Sequence, residues 1–177
     1  MASIQDKIDY LTEVERRLNG GATHQATAIA ADMAASIANR VINDGESADG
    51  SKFSPYSTKE VPAYFYYGRS RNAAGEAKVK AANKKKEGVS YKEFRGFNGL
   101  PVDKKNFSFS NAMWSGFGVK KVDYQPDFYT LTLGGKTQDS ADKLGWMAGQ
   151  EGRSIIAPNK EELTRAKDEL TRYIING

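Results

Sequence analysis

The side chains that could do chemistry in this sequence are few, and their spacing argues against each reaction in turn. His24 is the only histidine, and it opens an alanine-rich run with no serine and carboxylate placed around it for nucleophilic work. A helix-surface or capping role is the expectation. Pro126-Asp127 followed by Glu151-Gly152-Arg153 faintly echoes a nuclease pattern in which two carboxylates hold a divalent cation and a lysine assists the attacking water. Arginine stands where that lysine belongs, and Pro126-Asp127 already suits a turn. The acidic loop from Asp44 to Ser51 invites comparison with a calcium loop, but Ala48 occupies a ligand position and no glutamate closes it. No Gly-Lys-Ser/Thr phosphate loop exists, and Gly134-Gly135 reads as a strand exit. Cysteine is absent, which excludes thiol catalysis, disulfides and thiolate metal sites and suits an intracellular setting. The sequence therefore predicts a non-enzymatic protein with no catalytic, metal or cofactor residues.

What remains is charge and aromatic surface. Between Arg69 and Lys105 stand eleven basic and four acidic residues, a net of +7 against +4 for the whole chain, so the remainder carries −3. Arg69, Arg71, Lys78, Lys80, Lys84, Lys85 and Lys86 are the interaction candidates within it. They fit phosphates bound without sequence preference, with Tyr91, Phe94 and Phe97 available to stack on bases. They fit equally a solvated arm, or one docked on an acidic neighbouring subunit. Trp114 and Trp146, both beside glycine, are core residues by default and interface anchors as the alternative.

These residues need elements to position them. A chain of 177 residues with 39% apolar content supports a single domain over 1–177, which on folding hides roughly 70% of its unfolded surface. Met1 to Arg17 lacks the continuous apolar stretch of a signal peptide, and no window approaches a membrane span. Ile4, Ile8, Leu11 and Leu18 give an amphipathic helix over 3–18, ended by Asn19-Gly20-Gly21. Ile29, Met33, Ile37 and Val41 stripe a second helix from Thr23 to about Asn43, with Ala26, Ala30, Ala34 and Ala38 alongside to let another backbone approach. Tyr64 to Tyr67 is a short strand or extended arm. Residues 72–87 have helix propensity, but Val79 is their only large hydrophobe, so 68–106 reads as a basic insertion projecting from the domain without a core of its own. Strands follow over 116–122 and 128–133, the second alternating Thr130, Thr132 with Leu131, Leu133, and Pro126-Asp127 turns between them. A short helix at 138–149, a last strand at 153–157 and a helix at 160–174 complete an α+β fold, its small antiparallel sheet packed against the long N-terminal and C-terminal helices.

Five segments stand out: Asp49-Gly-Ser-Lys-Phe-Ser-Pro-Tyr-Ser57, Tyr91-Lys-Glu-Phe-Arg95 with Gly99, Phe107-Ser-Phe-Ser-Asn-Ala-Met113, Lys143-Leu-Gly-Trp-Met-Ala-Gly-Gln-Glu-Gly152, and Ser154-Ile-Ile-Ala-Pro158 with Glu161, Glu162 and Leu163. In these the chain resembles the small tail-completion proteins of the head-to-tail neck of tailed phages, including minor tail components and virion-morphogenesis proteins. Ser110-Asn111 departs from the family's usual Thr-Gly pair, and the insertion is larger than expected. The resemblance implies a structural virion subunit, a terminator or connector of the neck or upper tail. It also implies assembly into a ring, of six or twelve copies, around the DNA channel. Its partners would be further copies of itself and neighbouring neck, portal-adaptor or tail-tube proteins, with transient contact to packaged DNA and none to membrane. It would reside in the virion after assembly in the host cytoplasm. A channel that lets DNA slide gains little from strong phosphate contacts, which favours docking or solvation of the basic insertion. The alternative function is a small accessory nucleic-acid-binding protein that uses that insertion.

Overall fold

Alanines at 26, 30 and 34 alternate with Ile29, Met33 and Ile37 along helix α2 (Thr23–Asn39), and all six are buried. Small side chains let neighbours come close on more than one side, and α2 packs against both the main hairpin and the C-terminal helix. The computed structural model describes residues 4–108, 110–125 and 128–176. Around α2 it places α1 (Ile4–Arg16), β1 (Glu60–Pro62), α3 (Ala73–Lys84), β2 (Gly88–Ser90), α4 (Tyr91–Phe97) and the single turn α5 (Ala112–Ser115). The hairpin β3 (Phe117–Gln125) and β4 (Phe128–Gly135), then α6 (Gln138–Glu151) and α7 (Lys160–Asn176), complete the chain. The architecture is α+β, a small antiparallel sheet flanked by a long N-terminal helix and by C-terminal helices.

The hairpin forms as its alternation predicts: Leu131 and Leu133 turn inward opposite Val122 and Val119, while Thr130 and Thr132 face out. One bulge between Val119 and Lys121 adjusts the register. The expected turn at Pro126-Asp127 lies outside the described residues. Under the sheet, Met33, Ile37, Val41, Phe53, Phe107, Met113, Trp114, Phe117, Leu144 and Ile155 make the main core. Trp114 meets Phe117 edge-on with centroids 5.7 Å apart, and its Nε1–H donates to the Asn106 carbonyl at 3.3 Å. At the junction of β4 with α6 the backbones touch, so that a Cβ on Gly135 would lie 2.3 Å from the Ala141 amide nitrogen. Glycine is required there by space.

Two ion pairs fasten the ends of helices. Arg40, in the π-helical turn that closes α2, donates to both carboxylate oxygens of Glu162 at 3.1 and 3.2 Å, and also to the carbonyls of Glu46 and Ala157. Glu162 in turn accepts the Asn159 amide, while Asn159 Oδ1 caps the Glu162 amide, so one buried pair joins the end of α2 to the start of α7. Lys105 reaches Glu151 at 2.6 Å. Burial alone would raise that carboxyl, but the Lys105 ammonium and the Ser54 amide outweigh it and hold Glu151 below its usual range.

Several expectations are corrected. Tyr64 to Tyr67 is no strand: Ala63–Tyr66 is a 3-10 turn following β1, which pairs with β2 through Glu60–Ser90, Val61–Val89 and Pro62–Gly88. Residues 153–157 are not a strand either: Ile155 is buried in the core with Ile156 packed against it, and their backbone finds no strand partner among the described residues. The insertion is not coreless. Ala63, Val79, Ala82, Val89 and Phe94 form a second buried cluster with Tyr66, Tyr91 and Phe97 packed on it. The shortage of large aliphatics in α3 is met by aromatics from its neighbours, each of which brings more area than an aliphatic chain. The lobe so formed therefore begins at β1, upstream of residue 68.

Candidate functional site

The described members of the nuclease pattern are engaged elsewhere. Glu151 is committed to Lys105 and the Ser54 amide, and Arg153 binds Ser51 Oγ, the Lys52 carbonyl and Asp49; Asp127 lies outside the described residues. In the acidic loop, Asp49 accepts from the backbone and hydroxyl of Ser51, a local turn contact. Among the described residues no group of three or more His, Asp or Glu side chains gathers where it could hold a metal ion. His24 is exposed on the first turn of α2.

The seven basic candidates Arg69, Arg71, Lys78, Lys80, Lys84, Lys85 and Lys86 are all exposed on one lobe. Helix α3 turns Gly75, Val79 and Ala82 inward and leaves its lysines outside. Lys80 pairs loosely with Glu76 at 3.8 Å and Lys85 with Glu87 at 3.9 Å; the other five make no ion pair among the described residues. Arg95 and Lys105, also counted in the basic segment, are structural. Arg95 is 1% exposed, stacks 4.1 Å over the Tyr56 ring and donates to the Pro101 and Ser108 carbonyls and to Asn106 Oδ1, tying the lobe to the body. The proposed base-stacking residues are corrected likewise: Phe94 is buried, and Tyr91 and Phe97 pack on the lobe's core. The exposed rings are instead Tyr64 and Phe65, stacked on each other at 4.9 Å, with Tyr67 nearby in the chain. Tyr64 shares a shallow depression with Lys86.

The two tryptophans part company. Trp114 is core, as expected by default. Trp146 is 62% exposed, so the core expectation fails for it. Its position on α6 between Gly145 and Met147 turns it over a cleft of about 220 Å³ lined by Tyr56, Tyr91, Arg95 and Phe107, between lobe and body.

Two further apolar surfaces stand open elsewhere. No residue of α1 is buried, and its stripe stands open, Ile4 at 80%, Ile8 at 50% and Leu11 at 63% exposure. The sequence shows this amphipathic helix, and its periodicity reports an apolar face without saying what covers it. An open groove of about 570 Å³ runs between α2, β4 and α7, walled by Ile29, Met33, Leu131, Leu133, Leu163 and Leu170. No described helix is long and apolar enough to cross a membrane. Comparison of the chain with protein-family models, with curated protein sequences and with solved structures finds no match.

Proposed function

We propose that this protein is a non-catalytic structural subunit of a tailed-phage virion, a terminator or connector of the head-to-tail neck or upper tail that assembles as a ring around the DNA channel. The observation that carries the assembly part is the open apolar stripe of α1. Water-exposed aliphatic rows of this kind mark surfaces that another chain covers. The exposed Trp146 adds an aromatic of the type that anchors interfaces. The neck assignment itself rests on the sequence resemblance. Ion pairs and caps account for Glu151, Arg153 and Glu162 without a reaction, which favours a structural role over an enzymatic one.

The test is the mass of the purified protein by light scattering at low and at high salt. The account predicts a discrete oligomer, or a monomer that becomes one on addition of a neck or tail partner, with little dependence on salt once assembled. A monomer that ignores such partners at every salt concentration contradicts it.

A second reading is favoured by one specific feature, the stacked Tyr64 and Phe65 beside Lys86 on the lobe that carries the unneutralised cations. Aromatic faces within a basic surface suit single-stranded nucleic acid. Under that reading, binding of an oligonucleotide weakens steeply with salt and is lost when Lys84, Lys85 and Lys86 are replaced by glutamine.

A further inference from the structure

Helix α1 and the groove beside α7 stand open in the same chain. The root of α1 explains why the arm does not close on its own groove. Arg17 Nη1 donates to the Tyr173 and Ile174 carbonyls at 3.2 and 3.3 Å, and the Tyr129 hydroxyl bridges the Arg17 carbonyl and the Ala22 amide. On the other side Tyr124 donates to Asn19 Oδ1, and its ring lies against Gly20, whose φ of +92° only glycine adopts readily. The turn is therefore held on both flanks, and the arm leaves the body with its apolar face uncovered.

The two surfaces match in length and in charge. Ile4, Ile8 and Leu11 span two helical turns, about 10 Å at 1.5 Å per residue; Ala26, Ile29 and Met33 on the groove floor span the same two turns. One turn beyond Leu11 and before Leu18 the stripe is interrupted by Glu15, exposed and without an ion pair among the described residues. The groove has a single charged lining residue, Lys167, one turn beyond Leu163. A parallel approach of α1 to α7 sets Glu15 at Lys167 and Leu11 at Leu163, and carries Ile8 and Ile4 toward Pro158 and Ile156 at the groove's other end. Leu163, half-exposed in the single chain, would be covered.

We infer that the occupant of the groove is α1 of a second copy. Each subunit inserts its arm into the next and receives one from the last. Such a contact is heterologous, and it closes into a ring when the rotation per subunit divides the circle and otherwise runs on as a filament. The inference rests on the assembly reading above and names its contact.

Because the chain has no cysteine, the test is direct. Full-length Leu11→Cys and Leu163→Cys proteins are made separately, mixed and oxidised, and the double variant is oxidised in parallel. The expected result is a mixed disulfide dimer from the two single variants and a ladder of disulfide-linked oligomers from the double. A double variant that closes within one chain, or single variants that form only Leu11→Cys homodimers, overturns the inference in favour of self-closure or arm-to-arm pairing. A second arm uses charge. Lys167→Glu shifts the wild-type oligomer toward monomer by at least about tenfold in association constant, and adding Glu15→Lys restores it, whereas a merely structural Lys167 shows no such rescue. If light scattering finds an oligomer while no Leu11–Leu163 disulfide forms, the arm contact is wrong and the assembly reading survives. If no oligomer forms alone or with partners, both fall.

Discussion

Glu162 does three things at once: it takes Arg40's guanidinium, accepts the Asn159 amide and begins α7. Removing it leaves Arg40 buried without a counter-charge, so Glu162→Ala is expected to cost about 3–5 kcal/mol of stability, read by urea denaturation. Glu151 makes a pH prediction. Its carboxyl titrates below the unfolded value of about 4.3, so the Lys105 pair contributes fully above that pH and its contribution is lost as pH falls through the lower folded value. Lys105→Met should flatten that part of the acid unfolding curve. At Gly135 the contact with Ala141 leaves no room for a methyl, and Gly135→Ala should destabilise by about 1–3 kcal/mol without changing oligomeric state. None of these three roles is legible from residue type. Glu151 reads as a carboxylate of a faint nuclease echo, Glu162 as part of a segment that carries the resemblance and Gly135 as a strand exit, because a buried charge or a close backbone approach reveals itself only through the partners that the fold brings to it.

At the scale of elements, the sequence was most informative where periodicity was long. The stripe of α2, the alternation of β4 and the capped start of α7 appear where the pattern places them, within a few residues. It failed where one side chain or one short pairing decided the matter. Val61 and Val89 pair β1 with β2 in a three-residue ladder too short to leave an alternating pattern. Ile155 docks in the core from a turn, giving the apolar signal of a strand without its backbone. Val79, the lone aliphatic of α3, became a core residue because Tyr66, Phe94 and Phe97 gather around it. For α1 the pattern gives the helix and leaves open what covers its apolar face, which meets no core among the described residues. Deleting residues 4–16 should therefore leave the thermal midpoint of the remaining chain nearly unchanged, while abolishing assembly; circular dichroism and light scattering on the same sample check both halves.

The molecule as a whole presents two unlike surfaces. One is a lobe whose outer face carries Arg69, Arg71, Lys78, Lys84 and Lys86 without ion pairs among the described residues; the other is the apolar arm α1 with the groove between α2, β4 and α7. In a ring built through the second, the first remains available to face an acidic neighbour or the DNA passing through the channel. This division explains why charge segregation alone, read from the sequence, could not choose between a nucleic-acid partner and a protein one. The measurement that tests the central claim most directly is light scattering of the full-length protein and of its Ile8→Glu variant, at low and high salt. The account predicts a discrete, salt-tolerant oligomer for the first and a folded monomer for the second. An oligomer of the same mass in both, or a wild-type monomer indifferent to neck and tail partners, would contradict it.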